Sequence, residues 1–448
     1  MEDIKLRKIL GNSLWQILEK IITMIIVVVV TGVVARYLGT EDYGTVNYII
    51  SIVMLFTTFS TLGLETISIK DLTVSEEKKE TIIGTGITIR FVGGLVLIVL
   101  SQLVIGILSN WNHELQILGI IMGSSMLFKS FEVIEYYIQS IMKLKITAII
   151  RFITTIIVSI FKIIVVFMDW GKIGFIFSYL VDTSVAALLL YCWYRKRNSE
   201  RFKISKKYAK SILKRCWYLA ISGLMTTIYM RMDQVMLGSM MTSQTENGIY
   251  SAAVRIAEMW YFVPMAVIAA FQPIIMKYKK NNQEKFIEKQ QELYDIVSII
   301  GFVCIIGISI FGKLAIRILY GEEYLGAAPI LLISIWSGLF ATLGCARGPW
   351  LISEGLQKYT IIYITSGAIV NTTFNFLLIP NFGGSGAAIA TLIAQMFTSI
   401  ITVLFIPKMR ISGVMMLKSI FKNKTIVKIL KNSTKIIKKR NEKNEIKE

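Results

Sequence analysis

The chain has 448 residues, of which 54% are hydrophobic and 17% are charged, and its mean hydropathy is +0.62. A soluble domain carries about 25% charged residues, so this composition is typical of a polytopic membrane protein. The formal net charge of +20 does not indicate nucleic-acid binding, because the basic residues cluster between apolar runs and at the C-terminus.

The cysteines and the single histidine argue against several kinds of site. Cys192, Cys216, Cys304 and Cys345 lie in or beside apolar segments without CxxC spacing, so neither a disulfide framework nor a zinc site is expected. His113 lies in a short polar loop, which argues against a metal site or a histidine-dependent catalytic site. The sequence contains no GxxxxGK[ST], GxSxG or HExxH motif, so we expect no ATP hydrolysis, no enzymatic activity and no cofactor.

Long apolar runs predict the transmembrane helices, since a helix that crosses a bilayer needs roughly 20 apolar residues. Twelve such runs follow in chain order: 14–35, 45–66, 85–109, 115–139, 147–168, 173–194, 213–238, 249–276, 294–319, 326–351, 359–380 and 384–407. The first run resembles a signal peptide in its basic start, but it is long for one. The sequence therefore predicts an all-α polytopic membrane protein with about twelve transmembrane helices.

The distribution of basic residues predicts the orientation of these helices. Ten lysines or arginines lie between residues 195 and 215, five lie between 277 and 289, and thirteen lie from Lys408 onward. The alternate loops contain few basic residues: Arg36, Lys172, Lys313 and Arg317. This alternation predicts that both termini and the 195–215 segment are cytoplasmic.

A weak internal repeat divides the chain into two halves. Leu38-Gly39 is followed by Tyr43-Gly44 in the first half, and Leu237-Gly238 is followed by Gly248-Ile249-Tyr250 in the second. Trp170-Gly171-Lys172-Ile173-Gly174 and Phe382-Gly383-Gly384-Ser385-Gly386 each precede the last helix of a half. We predict two six-helix bundles of the same orientation (1–194 and 213–408) around a central cavity, a basic linker (195–212) and a basic cytoplasmic tail (409–448).

Polar and charged residues inside the predicted spans are the candidates for a functional site. Such residues cost at least about 2.5–3.5 kcal/mol at the centre of a bilayer when charged, so they usually face a water-filled cavity. In chain order the candidates are Lys20, Lys129, Glu132, Arg231, Asp233, Arg255, Glu258, Asn371 and Asn375. For Lys129 with Glu132 and for Arg255 with Glu258, a hydrated central cavity is the favoured interpretation and internal ion pairs are the alternative.

Charges near the span ends receive a different interpretation. Glu65, Arg90 and Arg151 are expected to snorkel or to pair between helices. A cavity with several basic groups suits an anionic headgroup, because arginine binds phosphate oxygens well. Acidic neighbours would pair with those cations or bind a coupling ion. In the tail, an amphipathic helix on the inner leaflet and an unstructured basic segment are both compatible with the pattern.

Five motifs together resemble those of the polysaccharide flippases of the multidrug/oligosaccharidyl-lipid/polysaccharide exporter superfamily. They lie at 35–44, 63–65, 233–238, 248–253 and 371–391. The resemblance implies a transporter that flips undecaprenyl-pyrophosphate-linked oligosaccharide repeat units across the cytoplasmic membrane for O-antigen, capsule or exopolysaccharide biosynthesis. It also implies alternating access between the two bundles and coupling to an ion gradient.

The resemblance further implies that cationic cavity residues meet the pyrophosphate, a role that falls by position on Lys20, Lys129, Arg231 and Arg255. Besides the lipid-linked cargo and membrane lipids, the implied partners are a polysaccharide polymerase and chain-length machinery. Two alternatives remain open. A drug or cation antiporter of the same superfamily would have a more apolar cavity with one or two key acids. A membrane-bound polysaccharide polymerase or transferase would have a large loop with catalytic residues.

Overall fold

The computed structural model describes residues 2–75, 78–198 and 200–422, and it describes side chains from Ile22 onward. Within these ranges the chain forms α-helices joined by short turns and 3-10 segments. The helices are α1 (Glu2–Leu55), α2 (Thr57–Thr61), α3 (Leu64–Val74), α4 (Lys79–Leu108), α5 (His113–Phe128), α6 (Val133–Ser140), α7 (Leu144–Phe167), α8 (Gly171–Arg195), α9 (Lys206–Met240), α10 (Thr245–Glu258), α11 (Phe262–Asn281), α12 (Gln283–Leu319), α13 (Ala327–Ala346), α14 (Gly348–Glu354), α15 (Thr360–Met396), α16 (Thr402–Phe405) and α17 (Arg410–Phe421).

Among the described residues, nine helical stretches are long and apolar enough to cross a membrane. Two of them, Ile22–Leu55 and Gln357–Phe405, each contain parts of two predicted spans. The seventh predicted span falls in α9, which is not among the nine. The predicted count of about twelve fits this arrangement, and the chain is an all-helical, multi-pass membrane protein.

Glycines break the two long helical stretches at the points where one predicted span ends and the next begins. Gly39 in α1 has φ 71° and ψ 176°, and Gly383 in α15 has φ 50° and ψ −132°. These positive φ values lie in a region that residues with a Cβ rarely adopt. Glycine therefore lets the chain turn at each position and start a second helical segment without a longer loop.

The fold comprises two compact units, and the first consists of Met1–Ala252, Ala315–Ala327 and Asn375–Ala387. In this unit α5 packs against α4 and α8, while α1 packs against α7 and α9. Its main core contains buried apolar side chains from several of these helices, including Val34, Ile49, Ile52, Leu97, Met122 and Phe175. The first unit thus combines the first six predicted spans with α9, the start of α10 and two short segments from later in the chain.

An ion pair joins α9 to α3 within the first unit. The Arg215 guanidinium donates to both carboxylate oxygens of Asp71, at 2.9 and 2.5 Å, and the Tyr208 hydroxyl donates to Asp71 at 2.8 Å. Burial alone would raise the pKa of Asp71, but the hydrogen bonds from Arg215 and Tyr208 hold that pKa below its usual value of 3.8. This contact fixes the start of α9, which follows the basic segment predicted as a linker.

The second unit consists of Ala253–Leu314, Ala328–Phe374 and Ala388–Glu448. Its core includes buried side chains of α12, α13, α14 and α17, among them Phe286, Leu293, Leu339, Trp350 and Met416. Helix α17 is tied to α12 by a 2.6 Å hydrogen bond between the Tyr294 and Ser412 hydroxyls. The predicted tail therefore begins as a packed helix, and its residues from 423 onward lie outside the described residues.

A π-helical turn, Phe397–Ile401, interrupts the last predicted span in the second unit. The buried Arg347 donates to the carbonyl oxygen of Ser399 at 2.9 Å and to that of Thr398 at 3.4 Å. Its guanidinium also lies 4.1 Å from the centre of the Tyr363 ring. Because a π-helical turn disturbs the usual helical hydrogen bonds, Arg347 stabilises carbonyl groups that the turn exposes.

Candidate functional site

The fourth predicted span is interrupted where its charged residues lie. A 3-10 turn, Lys129–Glu132, separates α5 from α6. A 3-10 stretch within a longer helix often marks a functional site or strain. The turn presents Lys129 and Glu132 beside the helices α4, α7 and α8 of the first unit.

A ladder of ion pairs joins this turn to its neighbours. Glu132 accepts a hydrogen bond from Arg90 of α4 at 2.9 Å and another from Arg151 of α7 at 3.1 Å. Arg151 also donates to both carboxylate oxygens of Glu135, at 2.9 Å each. The fully buried Arg90 donates to the Tyr136 hydroxyl at 2.7 Å. Each acid in the ladder is thus held by at least one arginine, as a charge buried among membrane helices requires.

A cavity of about 170 Å³ lies beside this ladder, inside the first unit. Four charged residues line it: Lys129, Glu132, Arg151 and Asp182. The remaining lining comes from Ser125, Thr183, Tyr179, Phe128 and small or apolar side chains of α1, α5 and α8. The Arg151 side chain is 47% exposed, although its guanidinium is paired with Glu132 and Glu135. The cavity therefore combines charges of both signs with an apolar wall.

A second polar cluster in the first unit lies on α9 and α10. Asp233 is buried, accepts a hydrogen bond from the Tyr250 hydroxyl, and accepts another from the backbone nitrogen of Gln234 at 2.8 Å. The Gln234 side chain accepts a hydrogen bond from Ser51 of α1. Arg231 is partly exposed and lies two residues before Asp233 in α9. The cluster joins α1, α9 and α10, which belong to both halves of the sequence.

The structure brings together some predicted site residues and distributes the others. Lys129 and Glu132 share the cavity described above. Arg255 and Glu258 are exposed on α10 in the second unit, and Asn371 of that unit donates to Thr391 at 3.3 Å. Asn375 is buried in the first unit, and Lys20 lies outside the residues whose side chains are described. The roles of these residues in binding a ligand remain predictions.

Sequence reasoning left two lining residues out of the candidate site. Arg151 was assigned to pairing between helices, and it both pairs and lines the cavity. Asp182 is a lone acid in the apolar run of α8, and this isolation was the available signal. Its neighbours Lys129 and Arg151 come from other helices, so no spacing along α8 reveals them.

At the predicted external end, Glu41 caps a helix from the other half of the sequence. Its carboxylate accepts hydrogen bonds from the backbone nitrogens of Gln244 and Thr245, both at 3.1 Å. The Thr245 hydroxyl donates to it at 2.7 Å. A carboxylate at a helix N-terminus satisfies amides that have no partner in the helix and interacts favourably with the helix dipole.

Two further carboxylates cap the segments that follow the glycine breaks. Glu323 accepts hydrogen bonds from the backbone nitrogen and hydroxyl of Thr40, at 3.1 and 3.0 Å. Glu246 accepts a hydrogen bond from the backbone nitrogen of Gly384 at 2.9 Å. These contacts lie within the first unit and connect segments of both halves of the sequence at the same end.

The internal repeat explains the position of these caps. Asp42, near the start of the second predicted span, pairs with Lys172 at 2.9 Å, and Lys172 precedes the last span of the first half. Glu246, near the start of the eighth span, binds Gly384 before the last span of the second half. Gly44 and Gly248 meet closely, since a Cβ on Gly44 would lie 1.9 Å from the Gln244 carbonyl oxygen. Corresponding segments of the two halves thus make corresponding contacts.

The chain is similar to a known protein family and to several known proteins. The model of the family described as "Polysaccharide biosynthesis protein" matches residues 33–329, more than half of the chain. The chain is 24% identical to the probable low-salt glycan biosynthesis flippase Agl15 of Haloferax volcanii over 42% of its own length and 40% of that protein. It is 27% identical to the probable flippase AglR of the same organism over 52% of its own length and 44% of that protein.

A third relative is the capsular polysaccharide biosynthesis protein CapF of Staphylococcus aureus, which is 24% identical over 49% of this chain and 58% of that protein. The chain spans about half the length of these relatives. Among solved structures, the lipid II flippase MurJ in an inward closed conformation matches with a TM-score of 0.70 and 17% identity over 92% of each chain. An inward-facing multidrug resistance MATE family transporter matches with a TM-score of 0.67 and 16% identity over 87% of this chain and 95% of that one. These likenesses establish a shared fold.

Proposed function

The chain belongs to the polysaccharide biosynthesis protein family, and we propose that it is a transporter that flips lipid-linked oligosaccharides across the cytoplasmic membrane. The proposed cargo is an undecaprenyl-pyrophosphate-linked repeat unit of a surface polysaccharide. The observation that carries this proposal is a cavity with Lys129, Arg151 and Asp182 in its lining, inside the helices of a member of this family. The names of the flippases Agl15 and AglR support the proposal as well.

The physical difficulty of flipping explains why such a cavity is useful. Each polar group without a hydrogen-bond partner costs several kcal/mol in hydrocarbon, so an oligosaccharide does not cross a bilayer at a useful rate unaided. A hydrated cavity that opens sideways to the lipid removes most of this cost while the prenyl tail stays in the bilayer. Basic groups in the cavity bind the pyrophosphate, and polar groups replace the water around the sugars.

The candidate residues divide between these tasks. We assign the pyrophosphate to Lys20, Lys129, Arg231 and Arg255. The other candidates are acids and amides, which would form hydrogen bonds with the sugars, pair with the cations or bind a coupling ion. They are Glu132, Asp233, Glu258, Asn371 and Asn375. The affinity for the cargo has to be moderate and has to differ between the two states of the transporter, because the cargo must leave on the outer side.

In an alternating-access cycle, the caps at the predicted external end would hold that end closed. Glu41, Glu246 and Glu323 join segments of both halves of the sequence. In the proposed cycle the bundles 1–194 and 213–408 move relative to each other, so these hydrogen bonds form when the outer end is closed and break when it opens. The loss of several charge-assisted hydrogen bonds is small enough for a transporter to reverse.

The proposed location is the cytoplasmic membrane, with both termini and the 195–212 linker in the cytoplasm. Basic loops on one side support this orientation. The proposed working partners are a polysaccharide polymerase and chain-length machinery, which would receive the flipped unit. The chain itself would carry out no covalent step and would use an ion gradient.

A deletion strain tests the proposed function. Lipid-linked repeat units should accumulate on the cytoplasmic leaflet, where a membrane-impermeant glycosidase does not reach them in intact cells. Complementation with the natural chain should restore access. Normal translocation with unpolymerised units outside would instead assign the chain to polymerisation, and normal surface polysaccharide with lost drug resistance would assign it to drug export.

A further inference from the structure

Two residues of opposite charge line the same cavity in the first unit without a close partner. In the part of the chain that the structure describes, neither Lys129 nor Asp182 forms a hydrogen bond or an ion pair within 4 Å through its charged group. Asp182 is partly buried in α8, and Lys129 is partly buried at the start of the 3-10 turn. A charge in a membrane helix normally has a partner or a ligand, so both groups require an explanation.

The neighbouring charges are already paired. Glu132 is shared by Arg90 and Arg151, and Glu135 is held by Arg151 through two hydrogen bonds. These residues form a closed structural ladder. Asp182 stands outside it as the acid of the cavity whose oxygens no arginine holds.

Three cations act on Asp182 from other helices. They are Lys162 and Arg151 of α7 and Lys129 of the 3-10 turn, and the negative charge of Glu132 acts against them. Lys162 lies 5.1 and 5.3 Å from the centres of the Phe175 and Tyr179 rings, beside the cavity wall. Within the lining, the carboxylate of Asp182 thus faces the positive charges of Lys129 and Arg151.

We propose that Asp182 is an internal counter-ion, which balances the cations of this cavity until the diphosphate of a prenyl-linked cargo replaces it. The proposal rests on the proposed function, because it takes the anionic headgroup as the cargo. Lys129 then offers its ammonium to a phosphate oxygen, and Arg151 in the same lining adds a second positive charge.

The size and charge of the cavity fit this role. Its volume of about 170 Å³ has room for the phosphate end of such a cargo. Among the described residues, the cavity lining and its ladder contain three cations (Arg90, Lys129, Arg151) and three acids (Glu132, Glu135, Asp182). Their net charge is 3 − 3 = 0, and it becomes +1 when Asp182 is neutral.

This arrangement moderates the affinity for the cargo. Without the charge of Asp182, the cavity would carry a net charge of +1 and would release a diphosphate more slowly. The carboxylate of Asp182 repels the anion and restores the electroneutrality of the empty cavity. The residue thereby determines the affinity for an anion without contacting it.

Binding to the purified full-length chain tests the proposal. The probes are farnesyl diphosphate and inorganic pyrophosphate, measured by isothermal titration calorimetry in detergent. Asp182→Asn should bind both about tenfold more tightly, because a nearby like charge is removed in a partly hydrated site. Lys129→Gln should bind both more weakly, and the difference between wild type and Asp182→Asn should shrink in high salt.

Two control variants separate charge from structure. Asp182→Glu retains the charge and should keep nearly the affinity of the wild type. Glu114→Gln removes an equal charge from a side chain that is 50% exposed. Glu114 lies 15 residues before Lys129, about 22 Å along the helix, so this variant should leave the affinity unchanged.

Unchanged or weaker binding in Asp182→Asn would overturn the proposal, and so would an equal change in Asp182→Glu. Binding of inorganic pyrophosphate without binding of farnesyl diphosphate would also overturn it, since the anion would then be free rather than part of a lipid. These outcomes are independent of the deletion strain. A strain with normal flipping would reject the proposed function whatever the affinities of the purified protein.

Discussion

The replacement of Glu41 by alanine tests the contacts at the predicted external end. This change removes the acceptor for the amides of Gln244 and Thr245 and for the Thr245 hydroxyl. An N-terminal cap is worth about 1 kcal/mol, and a carboxylate at a helix N-terminus adds about 0.5 kcal/mol at an exposed position. Because the closed outer end loses about 1.5 kcal/mol, the population of the open state should rise about tenfold.

A cysteine at position 51 measures this population. Ser51 is fully buried and bonds the Gln234 side chain, so a cysteine there should react when these segments separate. The variant Ser51→Cys is placed in a chain whose four natural cysteines are replaced by alanine. A membrane-impermeant maleimide added outside intact cells should label this cysteine about tenfold faster when Glu41→Ala is also present.

Glu322→Ala supplies the matched control at the same end. Glu322 pairs with Arg317 at 2.5 Å, but its side chain is 63% exposed, so this ion pair should contribute little. The labelling rate should therefore stay close to that of the parent. Equal labelling with and without Glu41→Ala would refute the reasoning, and an equal increase in Glu322→Ala would assign the effect to general loosening.

Three further predictions concern stability and packing. Arg90→Met should destabilise the chain by about 3–5 kcal/mol, because it leaves Glu132 with one partner fewer in a buried site. Thermal unfolding in detergent measures this loss of stability. The double variant Arg90→Met with Glu132→Leu should recover part of it. Gly248→Ala should weaken flipping while Gly307→Ala does not, because a Cβ on Gly248 would lie 2.0 Å from a backbone oxygen and one on Gly307 meets nothing within 4 Å. The lowered pKa of Asp71 means that its stabilisation is present above the usual value of 3.8 and is lost as the pH falls through the lower folded value. The unfolding temperature of the natural chain should therefore exceed that of Asp71→Asn at neutral pH, and the two should converge in acid.

The membrane class, the apolar runs and the internal repeat could all be recognised in the sequence. A bilayer requires each helix to satisfy its own backbone, so about 20 apolar residues in succession are a local signal. Gly39 and Gly383 also lie in the predicted breaks between spans, where a positive φ value favours glycine. The exact count was less accessible, because these breaks are single residues and α9 carries many charges.

The candidate site was accessible in part. Charges in apolar runs identified Lys129 and Glu132, which do line one cavity. Arg151 pairs between helices as predicted, and its place in the cavity lining was not predicted, although a guanidinium has enough donors for both roles. The isolation of Asp182 in an apolar run marked it as unusual, but an acid alone on its helix gives no information about the side chains that face it.

The sequence by itself determined that the chain spans a membrane, approximately where each span lies, and that its halves are related. Those properties depend on hydrophobicity and backbone geometry, which act over a few neighbouring residues. Only the tertiary structure decided which charges meet. Glu132 pairs with Arg90, which lies 42 residues earlier in the sequence, and Glu41 caps a helix that begins 204 residues later. Such contacts arise from helix packing, because the spacing of charges on one helix does not specify the face of another helix that it meets.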